Sequence, residues 1–134
     1  MTPALFWLAL TLALTIVYIF APAVVRTMKF GSKWNAGPRD VDMGDPGVLA
    51  GRLLRAQANL YETLPLIIGA VLVAHVAGAD AGLTSLGAML YFWSRVAYLP
   101  LYAFGVPLVR SLAFMVGLAG LIIVLYAIFT AATV

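Results

Sequence analysis

Two short runs hold most of the residues able to do chemistry. The first, RLLRAQANLYETLP, places Arg52, Arg55, Asn59 and Glu62 in one stretch. The second, YFWSRVAYLPLY, places Tyr91, Arg95, Tyr98 and Tyr102 at spacings of three and four. Guanidinium groups grip carboxylates with two prongs, and a carboxylate takes an ammonium or a guanidinium. At 100° per residue the first four side chains fall within an arc of roughly 80°, and the second four also share one face. Polar faces of this kind either lock helices together or recognise a ligand. A lone Arg–Glu pair would fit both accounts equally. Eight polar or tyrosyl groups converging in one place favour a site.

The elements that must carry these faces follow from composition. The chain has 134 residues, of which 64% are hydrophobic and 10% charged. Soluble domains carry about 25% charged residues, so lipid must cover much of this surface. A single domain over residues 1–134 is expected, with long apolar blocks at about 4–25, 48–79, 81–104 and 107–132. As a helix the first block is roughly 30 Å long, the hydrocarbon thickness of a bilayer. The expected fold class is all-α, an integral membrane four-helix bundle. No basic region precedes the first block and its apolar core is long, so it reads as a retained helix and not as a cleaved signal.

Charge placement sets an expected orientation. Arg26, Lys29, Lys33 and Arg39 follow the first block. With both termini on the non-cytoplasmic side, all eight Lys and Arg fall in or near the cytoplasmic half, and only Asp80 marks the outer loop. In the loop before the second block, Asp45-Pro46 reads as a helix cap followed by proline at the first helical position. Asp40, Asp42 and Asp45 match no complete calcium loop, and no metal site is expected.

Depth then separates the polar residues. Arg52 and Arg55 can reach back to the interface, whereas Glu62 lies about 15–20 Å in, near mid-bilayer. A charge there costs roughly 2.5–3.5 kcal/mol. Arg95 lies roughly 13 Å from the same end of its own block. The blocks run antiparallel, so Glu62 and Arg95 are expected to pair, directly or through one water. Pro65 lacks the donor for the Tyr61 carbonyl and is expected to bend its helix.

RLLRAQANLYETLPL followed by SRVAYLPLYAFGVPLVRS resembles the MAPEG family, the membrane-associated proteins of eicosanoid and glutathione metabolism. The resemblance spans about residues 26–111. It implies a homotrimer binding glutathione as co-substrate in a cleft between subunits, with a lipophilic electrophile or peroxide arriving from the membrane. By position it assigns Arg55, Asn59, Glu62, Arg95, Tyr98 and Tyr102 to glutathione, and Arg110 and Ser111 to the thiol. It matches Lys29, or else Arg26, to a basic residue at the end of the first helix. Arg and Glu suit the carboxylates and ammonium of glutathione, and a guanidinium and hydroxyl near a thiol favour its thiolate. The chain has no cysteine, so the ligand would bring the sulfur.

Departures from that pattern keep a second reading open. Gln57 and Ala58 stand where family members often carry histidine and arginine, and Phe114 stands where some carry tyrosine. The alternative is a non-enzymatic protein binding a lipid or other amphiphile in the same cleft. Transport is a weaker third reading, because no paired broken helices are visible. His75, Trp7, Trp34 and Trp93 fit span ends, and Gly117 and Gly120 with Ala113 and Ala119 fit close helix packing. The basic cluster fits topology and anionic lipid, and no nucleic-acid partner is expected.

Overall fold

The computed structural model describes residues 1–131. Its elements are α1 (Pro3–Phe30), α2 (Ser32–Ala36), α3 (Val48–Val76), α4 (Ala81–Ala103) and α5 (Pro107–Ala131). The last expected block runs one residue further, to 132, which lies outside the described residues.

Local chemistry sets each boundary. Thr2 caps α1, its Oγ1 accepting from the Leu5 amide at 3.4 Å, with Pro3 at the first helical position. The helix continues past the expected residue 25 and stops at Gly31, whose φ of 93° suits glycine. Asp45 does not cap α3 as expected. Its carboxylate accepts from the Gly47 amide at 2.7 Å and closes a turn, and Gly47 itself precedes Val48. Asp80 does cap α4, accepting from the Leu83 amide at 2.8 Å. α3 ends at Val76, short of the expected 79, because the Ala77 and Ala79 amides turn back onto the Val73 and Ala74 carbonyls.

Among the described residues three helices are long and apolar enough to cross a bilayer: α1, α3 and α5, with mean hydropathies of 2.4, 1.5 and 2.7. Their outward faces are apolar too, with Phe20 60% and Phe129 68% exposed. The protein is therefore an integral membrane protein. α4 has the length, 23 residues, but less hydropathy, because it turns Thr84, Tyr91, Ser94, Arg95 and Tyr98 inward.

α3 and α4 form the centre. Each contacts α1 and α5, whereas α1 and α5 do not meet among the described residues. The closest seam joins α4 to α5. A Cβ on Gly87 would overlap the Gly120 carbonyl oxygen, and one on Gly120 would overlap the Gly87 carbonyl. Gly117 likewise faces the Ser94 hydroxyl with no room for a side chain. Of the expected close-packing set, the glycines and half-buried Ala113 face inward, but Ala119 is exposed.

Prolines sit inside α1, α3 and α4, and each helix runs on through its own. Pro22 has no N–H to give the Tyr18 carbonyl. The Gln57 amide of α3 donates to that carbonyl instead, at 3.2 Å. The tie fixes α1 against α3 and accounts for the glutamine.

Gly87→Ala and Gly120→Ala should each force α4 and α5 apart and cost about 1–3 kcal/mol. Gly69→Ala, where nothing lies within 4 Å of the new methyl, should be neutral or stabilising. Unfolding in mixed detergent measures all three.

Candidate functional site: a cationic cleft between α3, α4 and α5

The site is built around Arg95, the largest fully buried side chain, 1% exposed. Its Nη1 donates to Asn59 Oδ1 at 2.7 Å and its Nη2 to Thr63 Oγ1 at 2.9 Å, both on α3. Thr63 Oγ1 also shares a 2.6 Å hydrogen bond with the Tyr91 hydroxyl. The guanidinium carbon lies 5.3, 5.0 and 5.6 Å from the ring centres of Tyr91, Tyr98 and Phe114. The backbone takes part too, since the Tyr18 hydroxyl of α1 donates to the Arg95 carbonyl at 2.7 Å. One residue thus ties α4 to α1, α3 and α5.

This corrects the expected Glu62–Arg95 pair. Glu62 lies on the exposed flank of α3, and no ion pair joins it to a described residue. The reason is angular. Asn59 and Thr63, one turn apart, sit roughly 40° apart on the wheel and point together at α4, while Glu62 is turned away by roughly 60° from Asn59. Neutral oxygens therefore hold the buried cation. Thr63 was missed in the sequence, although its i, i+4 spacing from Asn59 could have found it.

A second cluster forms where α4 turns into α5. The Arg55 Nε donates to the Tyr102 hydroxyl at 3.2 Å, and the Arg110 guanidinium lies 4.5 Å from the Tyr102 ring centre. The Tyr98 and Tyr102 rings are 5.6 Å apart. Between the clusters opens a cleft of about 260 Å³, bounded by Asn59, Tyr98, Tyr102, Arg110, Ser111 and Phe114. Arg95 stands behind Asn59, and Arg55 stands at the rim through Tyr102. The fold therefore gathers seven of the eight expected site residues and leaves Glu62 on the outer flank.

Not every expected group is free to act. The Ser111 hydroxyl donates to the Pro107 carbonyl of its own helix at 3.0 Å. Lys29 donates to the Asp45 carbonyl at 2.6 Å and tethers the loop. Arg26 is half-buried, with its Nε unpartnered. His75 borders a smaller hollow of about 180 Å³ at the far end with Thr2 and Thr84. Those two hydroxyls already serve the helix ends, so the hollow has little chemistry.

What the cleft can do follows from its charge. Arg110 lines it, Arg55 stands at its rim and Arg95 lies buried behind Asn59, and among the described residues no carboxylate pairs with them. Arg110 also lies near the start of α5, where free amides and the helix dipole favour negative charge. Such a cleft selects an anion, or a small molecule bearing carboxylates, beside an apolar wall.

Among protein-family models, the one described as MAPEG family matches residues 4–130, nearly the whole chain. A search of the curated proteins found no match.

Thr63→Val should remove the Oγ1 that accepts from Arg95 Nη2 and bonds the Tyr91 hydroxyl, at a cost of about 1.5–3 kcal/mol. Thr63→Ser should recover most of that. Thermal and detergent unfolding of the purified protein compare the two.

Proposed function

The chain belongs to the MAPEG family, and from that premise we propose that it is a glutathione-dependent membrane transferase or peroxidase acting on lipophilic electrophiles. The observation that carries this reading is the cleft itself, where guanidinium groups without carboxylate partners meet Tyr98 and Tyr102 at the start of α5. When bound, glutathione supplies the thiol that the cysteine-free chain lacks.

In this reading Arg55 and Asn59 take the ligand's carboxylates and amide groups, with Tyr98 and Tyr102 as hydroxyl partners. Arg95 holds Asn59 in place from behind. Arg110, Ser111 and the α5 N-terminus stabilise the thiolate, which is the nucleophile. Ser111 can still accept a hydrogen bond while its proton stays on the Pro107 carbonyl. The apolar side of the cleft at Phe114 and Met115 receives the lipophilic partner.

Assembly belongs to the same proposal. Four crossings, including α4, form a four-helix bundle with both termini on the non-cytoplasmic side. Glu62 would be costly against acyl chains, so its flank packs against another copy in a homotrimer. There the carboxylate meets the ligand's ammonium.

A non-enzymatic amphiphile-binding role is the second reading. It is favoured by Gln57, whose amide is held by the Tyr18 carbonyl, and by Ala58, which carries no polar group. Both would weaken the grip on a second carboxylate.

Millimolar glutathione and S-blocked glutathione should both raise the unfolding temperature, and a lipid-only protein would respond to neither. Arg55→Ala should weaken binding about tenfold, equivalent to about 1.4 kcal/mol. Thiolate absorbance at about 240 nm should appear with glutathione and vanish in Arg110→Ala. For topology, a thiol introduced by Asp42→Cys should label only from the cytoplasmic side and one introduced by Asp80→Cys only from the other.

A further inference from the structure

The end of α4 is closed by a complete set of hydrogen bonds, and one of them comes from a residue that the site has not used. A helix leaves its last carbonyls without partners. Here Pro100 O accepts from the Phe104 amide at 2.9 Å, Leu101 O from Val106 at 3.0 Å and Tyr102 O from Gly105 at 3.1 Å. The last two form the double closure of a helix ending in a left-handed glycine, and Gly105 has φ 70°. Only the Ala103 carbonyl remains, and Arg52 Nη1 of α3 donates to it at 3.2 Å.

Arg52 is more than a distant cap. Its guanidinium lies directly against Gly105. A Cβ at that position would stand 2.8 Å from both Cζ and Nη2 of Arg52, and 3.0 Å from Nη1. The side chain is thus wedged against the turn: φ favours glycine there, and a Cβ would push the guanidinium aside.

On either side of that turn stand the two halves of one contact. Tyr102 immediately precedes Ala103, and Arg110 lies in the first turn of α5, its amide bonded to the Val106 carbonyl at 3.3 Å. The Arg110 guanidinium sits 4.5 Å from the Tyr102 ring centre. Any slip of the turn moves one relative to the other.

We propose that Arg52 is a positioning residue that sets Arg110 over the cleft by clamping the α4–α5 turn. The role of Arg110 toward a thiol rests on the function proposed above, but the clamp can be read without glutathione. Because the chain has no cysteine, Ser111→Cys places a lone thiol beside Arg110 in the full-length protein in lipid nanodiscs. The readout is the pH dependence of its alkylation by iodoacetamide.

With Arg52 intact, half-maximal alkylation should fall at lower pH than when Arg110→Ala is added. Adding Arg52→Gln should move the midpoint up by about one pH unit, a tenfold loss of thiolate near neutrality. Arg52→Lys, which keeps a charge and a donor for Ala103, should recover part of the shift. Gly105→Ala should reproduce it by displacing the guanidinium, and it carries the test alone if Arg52→Gln does not fold. An alkylation profile unmoved by Arg52→Gln, with only the unfolding temperature lowered, would reduce Arg52 to a helix cap. A profile unmoved by Arg110→Ala would overturn the proposal as well. Glutathione binding to the unaltered chain is measured separately, so the two readings fail independently.

Discussion

A guanidinium buried in a membrane protein without a counter-charge is the constraint on which this architecture turns. Burial of an ion is expensive unless its hydrogen bonds are met. Arg95 meets the demand with Asn59 and Thr63 oxygens and with the electron-rich faces of Tyr91, Tyr98 and Phe114. Its Nε is left without a partner. Satisfying the cation with neutral groups leaves its positive charge unpaired behind Asn59, while Arg110 is the guanidinium that lines the adjoining cleft.

The rest of the site follows from that choice. Asn59 is both a wall of the cleft and a ligand of Arg95, so its orientation is fixed before anything binds. Tyr102 serves two cations at once, through its hydroxyl to Arg55 and its ring to Arg110. Glu62, on the exposed flank, leaves the cleft's guanidinium groups without an ion-pair partner among the described residues. A MAPEG chain arranged in this way has the polar groups around its cleft on three helices, and none lies on a loop.

Much of this was legible in the amino-acid sequence, for identifiable reasons. Apolar blocks of bilayer length are coarse signals, and they located all four long helices to within a few residues except at the end of α1. The wheel correctly grouped Tyr91, Arg95, Tyr98 and Tyr102, because α4 presents one face to the interior. It failed at Glu62, where an arc of roughly 80° spans both the inward face and the flank beside it. Attraction of opposite charges suggested a pair, but the direction in which each Cβ points decided otherwise. Gln57 read as a departure from a family pattern, yet it answers a carbonyl freed by Pro22 on another helix. Capping was misread at Asp45, whose carboxylate closes a turn onto the Gly47 amide instead. It was not legible at Ala103, whose partner Arg52 lies 51 residues away.

The seam between α4 and α5 has a mechanical meaning. Gly87 and Gly120 bring backbone against backbone, with no side chain able to yield between them. Those two helices must therefore travel as one stiff plate. Widening the cleft means swinging α3 away from that plate, and the two Arg95 hydrogen bonds to Asn59 and Thr63 span the hinge line. A guest that parts α3 from that plate strains those bonds first, so the side chain that braces Asn59 is also the one that resists the opening.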